Sequence, residues 1–272
     1  MSRPPGTADP RSEARDTTWF LVKLLVFVLI LRSFVFSPFN IPSESMLPRL
    51  MIGDYLVVAK WPFGFSNFSM PFSPQLWEGR VFAHAPARGD VVVFRAPADP
   101  QTDYIKRVIG LPGDSIRIVR GQIILNGKPV PRSRIADFIE PLTPNSFCAK
   151  TDAGTFRERN SVGGTQCRYP QFEEILPEGK HYAVLDTSIV GQDDTQTYVV
   201  PKDHLFLMGD NRDHSADSRF AAAKDGGVGM VPMDNLVGRA WFGIFSVDGT
   251  AVWGQPKGWL NAVRGERIGT GF

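Results

Sequence analysis

Two features of this chain could do chemistry together: a serine in a turn between prolines and a lysine inside an apolar run. Residues 41–49 hold Ser45 between Pro42 and Pro48, shortly after the one strongly apolar segment. A serine hydroxyl is a poor nucleophile until a neighbouring base takes its proton. The pattern predicts a nucleophile, Ser45, held close to a membrane surface, and Lys106 is a candidate for its base.

Lys106 can serve as that base only if its charge is removed. A free lysine is protonated at neutral pH, with a pKa near ~10.4, and burial lowers that pKa by several units. On a strand, Tyr104 and Lys106 share one face while Arg107 lies on the other, so the two basic side chains point to different places. The alternative is a solvated Lys-Arg pair on an edge strand, which spacing alone leaves open.

Histidine is the other candidate base. Of the four histidines, only His214 has a motif-like setting, between Asp213 and Ser215. In a Ser-His-Asp arrangement, replacement of His214 abolishes activity, whereas with Lys106 as the base the effect is mild.

Residues 209–219 form a polar loop that contains three Asp, two Arg and two Ser. Taken alone it could be a solvated loop or an oxygen-rich calcium loop, although the arginines would neutralise the ligands of a cation. A serine in this loop could orient the lysine, and Asp–Arg pairs could brace it.

The apolar segment, residues 19–36, lies at the short end of the ~17–25 residues that span a bilayer. A cleaved secretory signal and a buried soluble helix are the alternatives, but no small-x-small cleavage site follows and the segment has no polar face. We expect an uncleaved transmembrane anchor. Residues 1–18 carry three arginines and several prolines, which predicts a disordered cytoplasmic tail and an extracytoplasmic, periplasmic-side domain.

Composition predicts a mainly β fold. The chain has 272 residues, 43% of them apolar, with 26 Gly and 22 Pro spread along it. The net charge of +2 is too balanced to suggest a nucleic-acid partner. The two cysteines, Cys148 and Cys167, lack the spacing of a metal site; they form either a disulfide, if this part lies outside the cytoplasm, or two free thiols.

We expect one extracytoplasmic domain over residues 37–253, in which residues 131–180 form a smaller inserted subdomain, and a loose tail over residues 254–272. Residues 61–80 read as an irregular loop rich in aromatic side chains. These rings either enter the membrane interface, where aromatic residues are enriched, or cover the core.

Five motifs in this order resemble those of bacterial type I signal peptidases, the leader peptidases. They are Pro42-Ser43-Glu44-Ser45-Met46-x-Pro48, Gly53-Asp54-Tyr55, Arg88-Gly89-Asp90-Val91-Val92, Tyr104-Ile105-Lys106-Arg107-Val108-x-Gly110-x-Pro112-Gly113-Asp114 and Gly209-Asp210-Asn211-Arg212-Asp213-x-Ser215-x-Asp217-Ser218-Arg219. Each block alone is moderately specific, but five in order behind a membrane anchor are very specific. The resemblance covers residues 37–246, loosely over 131–180.

The resemblance implies a Ser–Lys dyad, with Ser45 as nucleophile and Lys106 as general base. Ser43 matches the serine whose hydroxyl, with the Ser45 backbone N–H, forms the oxyanion hole. Ser215 matches the serine that hydrogen-bonds the lysine amine.

The remaining implied residues brace the site or bind substrate. Asp210 is expected to pair with Arg107, and Asp217 with Arg219. Substrate pockets for small side chains are expected at Ile41, Tyr104 and Ile105.

The resemblance also implies a function. It predicts a mainly β, membrane-bound serine endopeptidase that cleaves signal peptides from exported preproteins after Ala-x-Ala-like sites, through an acyl-enzyme. No metal or organic cofactor is implied, and we expect a monomer in the inner membrane. His214 departs from the family, where Asn is common. The alternatives are a specialised processing peptidase with the same dyad and a non-catalytic anchored binding protein.

Overall fold

The computed structural model describes residues 10–71, 73–151, 154–251 and 254–272. Helix α1 (Pro10–Ile30) continues into a π-helical turn, Leu31–Val35. Within the described residues, one helix, Glu13–Val35, is long and apolar enough to cross a membrane, and its most apolar stretch is not buried in the protein. The predicted apolar segment is therefore helical, as expected, and fits a membrane anchor; it is called the membrane helix below.

The helix begins before the predicted span. Residues 10–18, expected to be disordered, belong to α1, because the helical turns of the apolar segment continue without interruption into the polar residues before it. Residues 1–9, the rest of the predicted tail, lie outside the described residues.

Short strands are the main regular structure after the membrane helix, so the predicted mainly β fold is confirmed. The strands are β1 (Phe36–Asn40), β2 (Asp54–Ala59), β3 (Val91–Ala96), β4 (Asp99–Gly110), β5 (Ser115–Val119), β6 (Gln122–Leu125), β7 (Lys128–Pro129), β8 (Arg132–Pro141), β9 (Lys150–Thr151), β10 (Gly154–Thr155), β11 (Arg157–Arg159), β12 (Thr165–Ile175), β13 (His181–Leu185), β14 (Tyr198–Val199), β15 (His204–Met208), β16 (Val231–Pro232) and β17 (Leu236–Ser246). Helix α2 (Pro256–Ala262) comes after them.

A seven-stranded antiparallel sheet positions the site. Its order is β1-β2-β17-β3-β4-β15-β16. β1 starts at Phe36, directly after the membrane helix, and all five of its residues pair with β2. Buried side chains from β2, β3 and β4 share a cluster with Met46 and Leu50, so the turn that carries Ser45 is anchored in the core of this sheet.

Two four-stranded sheets and one two-stranded sheet, β9–β10, accompany the seven-stranded sheet in the described residues. One four-stranded sheet is built on the β5–β6 hairpin and the turn into β7, where Asn126 and Gly127 have the positive φ values that the Asn-Gly signal predicts. The other joins β8, β11, β12 and β13, mostly from residues 131–180. Cys148 and Cys167 are bonded as a disulfide beside this sheet, which resolves the alternative that the sequence left open.

The C-terminal residues are packed, which corrects the expectation of a loose tail over 254–272. The carboxylate of Asp54 is buried and needs partners. Arg267 supplies them: its Nε donates to Asp54 Oδ1 at 2.9 Å. Arg264 donates to the backbone carbonyl of Ile52 at 2.5 Å. Composition suggests disorder here because it does not reveal these long-range contacts.

In the aromatic loop over residues 61–80, some rings cover the core, and others are exposed or contact the membrane helix. Phe63 is buried in the core, and Phe68 packs against the cluster around Ser45. Trp61 is exposed, and Phe65 contacts Phe34 at the end of the membrane helix. Phe72 lies outside the described residues.

Candidate active site

The turn that carries Ser45 is held rigidly on both sides. Met46 and Leu50 are fully buried, and Leu50 N–H donates to Met46 O at 2.9 Å. On the other side, Asn211 N–H donates to Ser45 O at 3.1 Å, and Asn211 Nδ2 donates to Glu44 O at 3.1 Å. The backbone of Ser45 is therefore fixed against the 209–219 loop.

Lys106 lies beside the Ser45 hydroxyl. β4 pairs with β3, with Lys106 opposite Val92, and this pairing directs the lysine side chain toward the turn. Lys106 Nζ donates to Ser45 Oγ at 2.7 Å and to Ile105 O at 3.1 Å. Lys106 is 2% exposed and Ser45 7%, so the pair is shielded from bulk water.

Burial makes Lys106 a usable base. It lowers the pKa of Lys106 to about 8, because the ammonium form loses its hydration. Asp217 and Asp210 oppose this shift by favouring the charged form, while Arg219 adds to it. Lys106 therefore becomes free to accept a proton at a lower pH than an exposed lysine does.

Ser43 lies on the same side of the turn as the nucleophile. Its Oγ is 3.5 Å from Ser45 Oγ, and both side chains line one cavity. The pair thus presents two hydroxyl groups to a molecule bound there.

Ser215 does not make the expected contact with the lysine amine. Its Oγ is buried and has no hydrogen-bond partner among the described residues. The hydrogen bonds of Lys106 go instead to Ser45 and to the backbone of Ile105. Ser215 Oγ lies close to Gly209, where a Cβ atom would come within 2.2 Å of it. The hydroxyl is thus enclosed beside the site but not bonded to it.

The two expected Asp–Arg pairs are present. Arg107 donates from Nε to Asp210 Oδ1 at 2.7 Å, and Arg219 donates from Nε to Asp217 Oδ1 at 2.9 Å. Burial opposes the charge of Arg107, but Asp210 outweighs it and raises the pKa of Arg107. The guanidinium also lies over the ring of Tyr182. The adjacent residues Lys106 and Arg107 therefore point to different partners, as strand geometry predicts.

His214 pairs with Glu44 and not with Ser45. Its Nδ1 lies 2.9 Å from Glu44 Oε1, and this contact raises the pKa of His214. Asp213 Oδ2 accepts hydrogen bonds from the backbone N–H groups of Thr187 and Ser188. The Ser-His-Asp arrangement is therefore not assembled here.

The calcium alternative for the 209–219 loop also fails, because arginines occupy the carboxylates of Asp210 and Asp217. Within the described part of the chain, one group of carboxylates has oxygens within 4.8 Å of one another, namely those of Asp186, Asp193 and Asp213. Asp186 is already paired with an arginine.

A cavity of about 820 Å³ opens over the Ser45–Lys106 pair. The three residues expected to form substrate pockets, Ile41, Tyr104 and Ile105, all line it. It continues along β1 to Leu29 on the membrane helix. The Ser45 and Lys106 side chains and the end of the apolar helix thus line one continuous cavity.

Three residues of this site carry no signal that identifies them from the sequence. Glu44 and Asn211 stand inside the motifs, but only the fold shows that they join the two loops. Lys60 is buried and lines the cavity, although a single lysine at the end of a strand gives no indication of this.

The chain is similar to signal peptidases over most of its length. The family model described as "Signal peptidase, peptidase S26" matches residues 14–245. The chain is 34% identical over 249 residues to a signal peptidase I of Rickettsia typhi, with 88% of this chain and 83% of the relative covered. It is 32% identical over 259 residues to a signal peptidase I of Rickettsia akari, covering 92% and 86%.

A crystal structure of a signal peptidase I from Enterococcus faecalis V583 covers 57% of this chain and 97% of its own, at 18% identity and a TM-score of 0.29. That score supports no conclusion about the fold. The family match and the rickettsial relatives each span most of the chain. The family is one of serine peptidases, and the site described above holds a serine beside a buried lysine. The chain belongs to the signal peptidase family, peptidase S26, and is a peptide-bond hydrolase.

Proposed function

We propose that this protein is a membrane-anchored endopeptidase that removes signal peptides from exported preproteins through a Ser45–Lys106 dyad. The observation that carries the proposal is the 2.7 Å hydrogen bond from Lys106 Nζ to Ser45 Oγ in a buried site. A nucleophile and a base within hydrogen-bond reach are the signature of activated-serine catalysis. The lowered pKa of Lys106 supports its role as the base.

The first half of the reaction forms an acyl-enzyme. Neutral Lys106 accepts the proton of Ser45 Oγ as that oxygen attacks the carbonyl carbon of the scissile bond. The tetrahedral intermediate then collapses: the C–N bond breaks, and protonated Lys106 gives its proton to the leaving amine. That amine is the new N-terminus of the exported protein, and the signal peptide remains as an ester on Ser45.

The second half releases the signal peptide. Lys106, neutral again, takes a proton from water as the water oxygen attacks the ester carbon. The ester C–O bond breaks, the proton returns to Ser45 Oγ, and the signal peptide leaves with a free carboxylate. Lys106 thus serves as the base in both halves of the reaction, while the side chain of Arg107 is paired with Asp210 instead.

Ser43 and the Ser45 backbone N–H form the oxyanion hole in this proposal. Hydrogen-bond donors aimed at the developing oxyanion stabilise the transition state, and loss of one such donor costs about 10²–10³ in kcat. The position of Ser43 Oγ, 3.5 Å from the nucleophile, supports this role. Ser215 is given no role in this proposal, since its buried hydroxyl makes no hydrogen bond to Lys106 among the described residues.

The substrate binds as an extended strand. β1 is the edge strand of the large sheet, and β15 pairs with β4 only from Arg107 onward, which leaves the edge of β4 beside Lys106 open. A peptide can add to such edges by backbone hydrogen bonds. Ile41, Tyr104 and Ile105 line the cavity, and the proposal assigns to them the pockets for the small side chains of an Ala-x-Ala-like site.

The apolar helix and the basic tail support a location in the membrane. The proposal is a single-pass monomer of the inner membrane, with its catalytic domain on the periplasmic side and its substrates arriving from the bilayer. The Cys148–Cys167 disulfide supports this orientation, since disulfides persist outside the reducing cytoplasm.

There are two alternatives to a general signal peptidase. A specialised processing peptidase would use the same dyad on a narrower set of precursors. A non-catalytic binding protein has no need of Ser45 or Lys106, and both are present and in contact.

The test is cleavage of a secretory precursor by the full-length protein in detergent, comparing wild type with Ser45→Ala. Ser133→Ala, an exposed serine on β8, is the matched control. Cleavage after a small-x-small site, lost in Ser45→Ala and retained in Ser133→Ala, supports the proposal. Equal cleavage by all three moves the nucleophile elsewhere, and no cleavage by any of them favours the binding protein.

A further inference from the structure

Lys60 is a second buried lysine in the catalytic cavity, and the chemistry above does not use it. It follows β2 directly and is 3% exposed. Its Nζ donates hydrogen bonds to two backbone carbonyl oxygens, that of Arg32 at 2.5 Å and that of Ser69. Arg32 lies in the π-helical turn that ends the membrane helix, and Ser69 lies in the aromatic loop. One side chain therefore ties the anchor to the catalytic domain.

Other bonds strengthen the same junction. The last carbonyl groups of a helix lack partners within the helix and must find them elsewhere. The Arg32 carbonyl also accepts a hydrogen bond from Ser37 Oγ at 3.2 Å, and Lys60 N–H donates to Val35 O at 3.1 Å. Strand β1 begins at the next residue, Phe36. Because no linker separates anchor from sheet, these bonds fix the height of the active site above the bilayer.

The cavity extends over the same height, from the end of the membrane helix to the active site. Its walls run from Leu29 on the membrane helix, past β1, to Ser45 and Lys106. A substrate whose apolar helix ends at the level of this anchor must cross that distance as an extended segment beside β1. Residues 36–41 span about 20 Å at ~3.3 Å per residue, so the segment needs about six residues.

We infer that Lys60 is a specificity-determining residue that fixes how many residues the enzyme accepts between the apolar segment of its substrate and the scissile bond. The inference rests on the proposed function. A shorter segment does not reach Ser45 from the bilayer, and a longer one must bulge out of the cavity. When the junction at Lys60 is released, the domain can tilt relative to the anchor, and the accepted range widens.

The experiment uses the full-length protein in phospholipid vesicles and a set of precursors that differ only in this segment, from about three to about ten residues. The variant is Lys60→Met, which keeps an unbranched apolar stem but removes the donors. Lys202→Met, at an exposed lysine outside the cavity, is the matched control. The quantity measured is kcat/KM at each length, normalised to the best substrate of the same variant.

For wild type and Lys202→Met we expect an optimum near six residues, with kcat/KM at least about tenfold lower two residues to either side. For Lys60→Met we expect the profile to flatten to within about threefold over that range. Ser37→Ala, which removes the other side-chain donor to Arg32, is expected to broaden the profile less.

Several results would overturn the inference. A wild-type rate independent of segment length, or a Lys60→Met profile as sharp as that of wild type, would do so while leaving the proposed function intact. If Lys60→Met is inactive, Ser37→Ala decides: a broadened profile supports the inference and an unchanged one refutes it. Absence of cleavage by wild type at every length would refute the proposed function itself.

Discussion

The rate of cleavage should follow the deprotonation of Lys106 between pH 6 and 10. Burial lowers the pKa of this lysine to about 8, and in the proposed mechanism Lys106 activates Ser45 only when its amine is neutral. We therefore expect a rate that rises with pH and levels off above the pKa of the buried amine.

The magnitude follows from the fraction of neutral amine. With a pKa of about 8, that fraction is ~9% at pH 7 and ~91% at pH 9, so kcat/KM should rise about tenfold over these two units and then level off. An unburied lysine with a pKa near ~10.4 would give about a hundredfold rise over the same interval with no plateau. The shape of the curve thus separates a buried base from a solvated one.

The assay is kcat/KM for a short peptide substrate with the full-length protein in detergent, at constant ionic strength. A second lysine in the same cavity, Lys60, complicates the assignment of the pH profile to Lys106. Burial, reinforced by Arg32, also lowers the pKa of Lys60 to about 8. The profile of Lys60→Met should keep the rising limb and its midpoint, since the hydrogen bonds of Lys60 Nζ go to Arg32 and Ser69 and not to the nucleophile.

Two outcomes refute the reasoning. A rate that is flat from pH 5 to 9, with the chemical step limiting, removes Lys106 from the role of base. A rising limb that disappears in Lys60→Met shows that Lys60, and not Lys106, is the lysine whose titration controls the rate.

Two other predictions concern residues beside the dyad. His214→Asn should reduce kcat/KM by less than about tenfold, because His214 contacts Glu44 and not the nucleophile; complete loss would revive histidine as the base. The raised pKa of His214 also adds stability below its unfolded value of about 6.5 that is lost as the pH rises through the folded value, and thermal melts against pH should show this dependence weakened in the variant. Asp210→Ala should lower the free energy of unfolding by about 3–5 kcal/mol in denaturant titrations, because it leaves the buried charge of Arg107 without its carboxylate. A change below about 1 kcal/mol would mean that Tyr182 and the Gly89 carbonyl suffice for Arg107.

Much of the sheet can be predicted because its signals are local. Alternating or continuous apolar runs bounded by Gly-Asp and Asn-Gly turns place β3, β5 and β6 within a residue or two of their observed bounds. The separation of Lys106 from Arg107 follows from strand geometry alone. The order of the C-terminal residues escapes such reasoning because it depends on Asp54, some two hundred positions earlier in the chain.

The site is predictable in its residue types but not in its contacts. The order of the motifs identifies Ser45, Lys106 and both Asp–Arg pairs. These residues can be assigned from the resemblance to the family alone, without a structure. The Ser215 contact is expected from the same resemblance and is absent, because the rotamer of one buried hydroxyl depends on packing against Gly209 that no spacing encodes.

Lys60 shows most clearly how a role can depend on the fold. A lysine after an apolar strand is ordinarily solvated, and its neighbours in sequence give no reason to bury it. Its amine is held where the membrane helix ends, by hydrogen bonds to the Arg32 carbonyl, to which Ser37 Oγ also donates, and to the Ser69 carbonyl in the aromatic loop. Burial thus underlies both proposed roles: Lys106 as the base in one half of the cavity, and Lys60 as the tie between anchor and domain in the other half. A peptidase whose substrates arrive in the bilayer, as proposed for this protein, needs both a reactive group and a fixed height for it, and the proposal assigns these two tasks to the two buried lysines of one cavity.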